Sequence, residues 1–167
     1  MKIKNIIISL ALLLAGCGAP HDEYINIDYN EGSEKVERII SLKDIVVSNA
    51  FKGNKIPSYF NGKLSLKTSK KWGATFKSIL FQNLNNIGKE QGIWFTSYHL
   101  NLSLTISIDQ IFFDKKEKVG ILNAFVKLGK DSKVMFIKKK VKNEADFEPV
   151  FKEFSQRIIS FIKEKGE

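Results

Sequence analysis

The clearest pattern along the chain is an alternation. Tyr98, Leu100, Leu102, Leu104, Ile106 and Ile108 interleave with His99, Asn101, Ser103, Thr105, Ser107 and Asp109. Successive side chains of a strand point to opposite faces, so this run predicts a half-buried strand with one wet face, and it places His99 on the wet one. The phase slips at Gln110-Ile111, which predicts a bulge ahead of Phe112-Phe113. Residues 114–118 form a charged turn, and residues 119–128 make a second strand with Leu122, Ala124, Val126 and Leu128 on one face. Residues 129–132 turn the chain again and residues 134–141 return, completing an antiparallel meander of three strands.

Elsewhere the period is that of a helix. Trp72, Phe76, Leu80, Leu84 and Ile87 recur at steps of three or four, with Ile79 on the same face. Thr68 or Ser69 is the expected cap, Gly88 the expected end, and Trp72 the expected anchor of the helix start. Phe147, Val150, Phe151, Phe154, Ile158, Phe161 and Ile162 line a C-terminal helix, with Asp146 as its expected cap and Pro149 in the first turn.

Shorter signals precede the first helix. Tyr24, Ile25, Ile27 and Tyr29 read as a short strand, and residues 36–47 as another, interrupted near Lys43-Asp44. Asn61-Gly62 between two short apolar runs predicts a type I′ hairpin, whose central residues both need positive φ. Pro57 limits the first arm to an edge position. These elements predict an α+β domain: a two-layer sandwich of one mainly antiparallel sheet with both amphipathic helices on the same face.

The N-terminus carries a different message. Lys2 and Lys4 precede an almost wholly apolar run over residues 6–14. That run is too short for a permanent transmembrane helix, which needs roughly 20 apolar residues, and it fits a targeting segment. Leu14-Ala15-Gly16-Cys17 follows, and it resembles the lipobox of bacterial lipoprotein precursors, in which cleavage falls just before the cysteine and diacylglycerol is joined to its thiol. Residues 1–16 are therefore expected to be a signal peptide, residues 17–23 a lipidated linker, and residues 24–167 a single periplasmic domain. Lipid at Cys17 is the one covalent group expected, and no other cofactor. Gly18 stands where Asp marks inner-membrane retention in many Gram-negative bacteria, so the expected location is the outer membrane, facing the periplasm.

Cys17 is the only cysteine, so no intramolecular disulfide can form and the domain must fold by core burial. The formal charge is +9, and removing Lys2 and Lys4 leaves +7 on the mature side chains. Lysines crowd the second half, from Lys115 to Lys142, as a solvated surface or one that meets anionic headgroups or an acidic partner. Export argues against nucleic acid. His21 and His99 lack neighbours at metal-ligand spacing, and no phosphate loop or nucleophile elbow occurs, so neither catalysis nor a metal site is expected. Phe81 lies roughly 140° from Phe76 round the first helix, at ~100° per residue. Trp94 and Phe95 are adjacent, so a strand cannot bury both on one face. Phe81, Trp94 and Phe95 are the interface candidates, because exposed aromatics are typical anchors of protein contacts.

The order of elements resembles the ABC-type transport auxiliary lipoproteins, the PqiC-like family. The likeness rests on a hairpin of the Ile56-Pro-Ser-Tyr-Phe60 type, Lys71-Trp72 opening a helix, a long strand ending in Gln110-Ile111-Phe112, a strand of the Gly120-Ile-Leu-Asn-Ala-Phe125 type, and a closing helix over residues 147–163. The resemblance implies an outer-membrane lipoprotein that docks an MCE-domain protein of an ABC system moving lipids between two membranes, without an active site of its own. Two other envelope roles remain open: an LptE-like lipoprotein of lipopolysaccharide assembly, and an activator or pilotin lipoprotein of another complex. Self-association is a further possibility at the same surfaces.

Overall fold

The twelve-residue strand Ser103–Asp114 organises the sheet, because it alone is long enough to pair with three others. The computed structural model describes residues 36–48, 55–66 and 74–165, which belong to one compact unit. The signal segment, Cys17, the linker, the short strand at residues 24–29, Thr68, Ser69 and Trp72 lie outside the described residues.

Seven strands and two helices follow in the order β1 (Arg38–Val47), β2 (Ser58–Phe60), β3 (Lys63–Ser65), α1 (Phe76–Lys89), β4 (Ile93–Thr96), β5 (Ser103–Asp114), β6 (Val119–Leu128), β7 (Asp131–Lys140) and α2 (Glu148–Lys165). The protein is α+β, with one mixed sheet covered on one face by both helices. The meander β5–β6–β7 is antiparallel throughout, as the alternation predicts. β1 differs, running parallel to both β4 and β5. The reason is topological: the connection from β1 to β4 passes through α1, and a helical crossover returns the chain in its original direction.

Both expected irregularities are present. The register of β1 against β5 shifts between Leu42 and Asp44, leaving Lys43 as the extra residue. The register of β5 against β6 shifts between Ile108 and Gln110. Each bulge restores the apolar phase, so that Ile108 and Ile111 are both buried although three positions apart. At the hairpin, Asn61 (φ 48°) and Gly62 (φ 77°) both take positive φ, and Phe60 pairs with Lys63 across them.

Several boundaries depart from expectation. β5 begins at Ser103, so Tyr98 and Leu100 are exposed and His99 lies in an exposed loop and not on a strand. Among the described residues no partner strand continues that far: the ladder with β1 starts at Ser41 and Ser103, and Thr96 Oγ1 accepts from the N–H of Tyr98 to turn the chain. β2 is not an edge, since it pairs with β3 on one side and β5 on the other. Pro57 stands just ahead of it and needs no N–H there, and its carbonyl accepts from Phe113 at 2.8 Å. Thr75 caps α1, its Oγ1 accepting from the N–H of Ser78. Gly88 does not end the helix. It is buried where α1 crosses β4, and a Cβ there would lie 2.7 Å from the carbonyl oxygen of Ile93. Asp146 does not cap α2, because its carboxylate accepts from the N–H of Lys142.

The core lies between sheet and helices. Leu104, Ile106, Ile111, Leu122, Ala124 and Val126 from the sheet meet Leu80 and Leu84 of α1 and Phe151, Phe154 and Ile158 of α2. Gly120 lets α2 approach closely: an added Cβ would sit 2.7 Å from Val150 and 2.9 Å from the Phe147 ring. Two arginines tie α2 to the sheet at its margins. The Arg38 guanidinium donates to the carbonyl of Ile162 in the last turn, and Arg157 donates to the carbonyl of Phe136 on the outer edge of β7.

Candidate interaction surfaces

The three aromatic candidates occupy different places. Phe81 projects from the first half of α1 and is half-buried at the rim of the core. With Leu42, Lys43, Asp44, Ile45, Lys77 and Ser78 it lines an open hollow of about 310 Å³ beside the β1 bulge. The bulge turns Asp44 toward the helix, where Lys77 donates to its carboxylate at 2.8 Å. The Lys77 ammonium holds the Asp44 carboxyl below its ordinary value, partly opposed by desolvation. An apolar wall with one ion pair at its mouth suits a side-chain-sized contact.

Trp94 and Phe95 share the strand β4, whose only partner among the described residues is β1. Phe95 faces the helix layer, where its ring reaches the crossing point at Gly88 and packs on the core. Trp94 faces the other way, beside exposed Ile39. Its ring is half-buried, with the Lys89 ammonium 5.1 Å from its centroid. Its indole Nε1 is buried with no hydrogen-bond partner among the described residues. Thus Phe81 and Phe95 lie on the same side of the sheet, Phe81 near the middle of α1 and Phe95 near its C-terminal end, roughly 10 Å apart along its axis, while Trp94 lies on the opposite side. A contact using Phe81 and Phe95 is confined to one face. One using Phe81 and Trp94 must wrap around β4.

A fourth surface escaped the sequence reading. Opposite the helices, β-sheet register aligns Val46, Ser107, Phe125 and Val134 in one row across four strands, with Phe136 in the next row on β7. Phe125, Val134 and Phe136 are 40%, 65% and 52% exposed. The available signal was the run Val134-Met135-Phe136-Ile137, which breaks the apolar–polar alternation expected of a strand with one wet face.

Glu153 marks the boundary between the helix layer and β7. It pairs with Lys139 at 3.1 Å and with Arg157 at 2.9 Å, and these two cations, Lys139 first, hold its carboxyl below the ordinary glutamate value. Among the described residues no three histidine, cysteine, aspartate or glutamate side chains converge as metal ligands, and no helix is long and apolar enough to cross a membrane.

No protein-family model matches the chain, and no curated protein matches it in sequence. Its fold recurs in solved structures, among them the following two. One is an uncharacterised protein, 12% identical with a TM-score of 0.61, covering 80% of this chain and 94% of its own. The other is a protein from Xanthomonas campestris assigned to the family DUF330, 12% identical with a TM-score of 0.60, covering 78% of this chain and 87% of its own. At that identity the likeness establishes a common architecture.

Proposed function

We propose that the chain is an outer-membrane lipoprotein, anchored through Cys17, that serves as a non-catalytic docking subunit of an MCE-type ABC system moving lipids between membranes. The observation that carries the reading is the N-terminal sequence: Lys2 and Lys4, the short apolar run, and Leu14-Ala15-Gly16 immediately before the only cysteine. Acylation of that thiol supplies membrane affinity at about 0.8 kcal/mol per buried methylene, enough for stable anchoring when several chains act together. The resemblance of the element order to the auxiliary lipoproteins supports the docking role. A two-layer domain with half-buried aromatics at its margins is suited to binding a protein partner.

Metabolic labelling with a palmitate analogue tests the anchor. Cys17→Ala is expected to lose the label entirely, and equal labelling of wild type and variant removes the assignment. Cross-linking of the full-length protein in cells tests the partner. The expected adduct contains an MCE-domain protein. An adduct with a barrel translocon of lipopolysaccharide export instead would transfer the chain to that system.

A further inference from the structure

We propose that the outer face of β6 and β7, together with the lysine cluster at its end, is a docking surface for an anionic lipid bilayer. The apolar part is Phe125, Val134 and Phe136, standing side by side on the face away from the helices. Along β7 the same face continues through Lys138 to Lys140, about 14 Å beyond Phe136 at the usual strand rise. There Lys118, Lys140 and Lys142 surround an open hollow of about 560 Å³, together with Glu117, Val141 and Asp146.

One acid of that hollow is offset by a lysine outside it, and the other is held by a backbone N–H but keeps its charge, so the three lysines outnumber it. Glu117 pairs with Lys138, and Asp146 accepts from the N–H of Lys142. The ammonium groups of Lys118, Lys140 and Lys142 have no acidic partner among the described residues. Aromatic and aliphatic side chains flanked by unpaired lysines match a bilayer surface. The apolar groups enter the acyl boundary, and the ammonium groups meet lipid phosphates.

A second copy of the chain fits this face poorly. Two-fold pairing would bring Lys127 and Lys140 of both copies into one interface and concentrate like charge there. The exposures of Val46, Phe125, Val134 and Phe136 also leave only on the order of 350 Å² of apolar surface, below the roughly 450 Å² of apolar area within the roughly 800 Å² that each partner buries in a stable protein interface. A membrane contact needs no such area, because the anchor proposed above already holds the domain at the surface. In that respect the inference rests on the lipoprotein reading.

The test uses the full-length lipidated protein carrying Val134→Cys, labelled at the new thiol with an environment-sensitive fluorophore and incorporated in vesicles with brominated acyl chains. Phosphatidylglycerol vesicles are expected to quench the label several-fold more than phosphatidylcholine vesicles. A label at Lys152→Cys, on the exposed side of α2, should be little affected. About 1 M salt, where the screening length is about 3 Å, should remove most of the difference, as should the combined Lys118→Gln, Lys140→Gln and Lys142→Gln variant. No quenching at position 134, or equal quenching at both positions, overturns the proposal. So does a label that responds only when a purified protein partner is added, because the face then belongs to that protein. A second reactive thiol in the Val134→Cys protein would show Cys17 to be unacylated and count against the lipoprotein reading alone. The Cys17→Ser protein, held on the same vesicles by an N-terminal histidine tag and a nickel-chelating lipid in place of the anchor, then decides the surface in the same way.

Discussion

Phe81 sits where core and interface compete for the same ring. One side packs against the core, and the other looks into the hollow beside Lys77 and Asp44. Phe81→Ser separates the two uses. If the ring serves a partner, co-purification or self-association is lost while the melting temperature stays near that of wild type. A fall of about 3 kcal/mol or more in unfolding free energy, the range for removing a buried aromatic, identifies Phe81 as core. Gly120 offers a cleaner case, because its neighbours leave no room for a methyl group. Val150 and Phe147 belong to the start of α2, and both would have to move. Gly120→Ala is expected to lower stability by about 1–3 kcal/mol through overpacking, read by urea denaturation. An unchanged midpoint would mean that the first turn of α2 yields freely.

The seam between α2 and β7 is electrostatic at its rim as well as apolar beneath. Glu153 joins Lys139 of β7 to Arg157 of its own helix, and its carboxyl titrates below the ordinary value. A depressed carboxylate stabilises the fold above its unfolded-state pKa, and that contribution disappears as pH falls through the lower folded-state value. Glu153→Gln should therefore be less stable than wild type at neutral pH, by at most on the order of 1 kcal/mol for a partly exposed pair. The two proteins should converge in acid. A constant difference down to low pH would assign the effect to packing of the side chain. Both bulges were legible in the sequence because an extra residue shifts the apolar phase, at Lys43 and again past Ile108. The parallel direction of β1 was not, because strand direction follows from the crossover through α1 and leaves no trace in periodicity. The start of β5 departs from expectation for a related reason: alternation runs back to Tyr98, but among the described residues no partner strand does. Of the candidate surfaces, Phe81, Trp94 and Phe95 were visible as exceptions to a local pattern. The outer patch was not, since Phe125 and Val134 become neighbours only through the β6–β7 register.

At the scale of the whole molecule, one sheet presents two faces of different character. The inner face is covered by both helices, while the outer face keeps large apolar side chains in contact with water. The hydrophobic contribution to folding is proportional to the area removed from water, so equal side chains on the two faces contribute unequally. Phe154 of α2 is fully buried against the sheet, whereas Phe136 of β7 is 52% exposed on its far side. Phe154→Ala should cost about 3–5 kcal/mol, a large part of the 5–15 kcal/mol that holds an ordinary domain together. Phe136→Thr retains a strand-forming residue and exposes no core, so it should fall within about 0.5 kcal/mol of wild type. Chemical denaturation of both variants, with the wild-type slope as reference, measures the asymmetry directly. A Phe136→Thr protein as unstable as Phe154→Ala would mean that the outer face is packed by chain outside the described residues. The exposed patch would then be part of the fold and closed to any bilayer or partner. A small cost at Phe136 beside a large one at Phe154 leaves that face free to act, because its apolar area contributes little to holding the domain together.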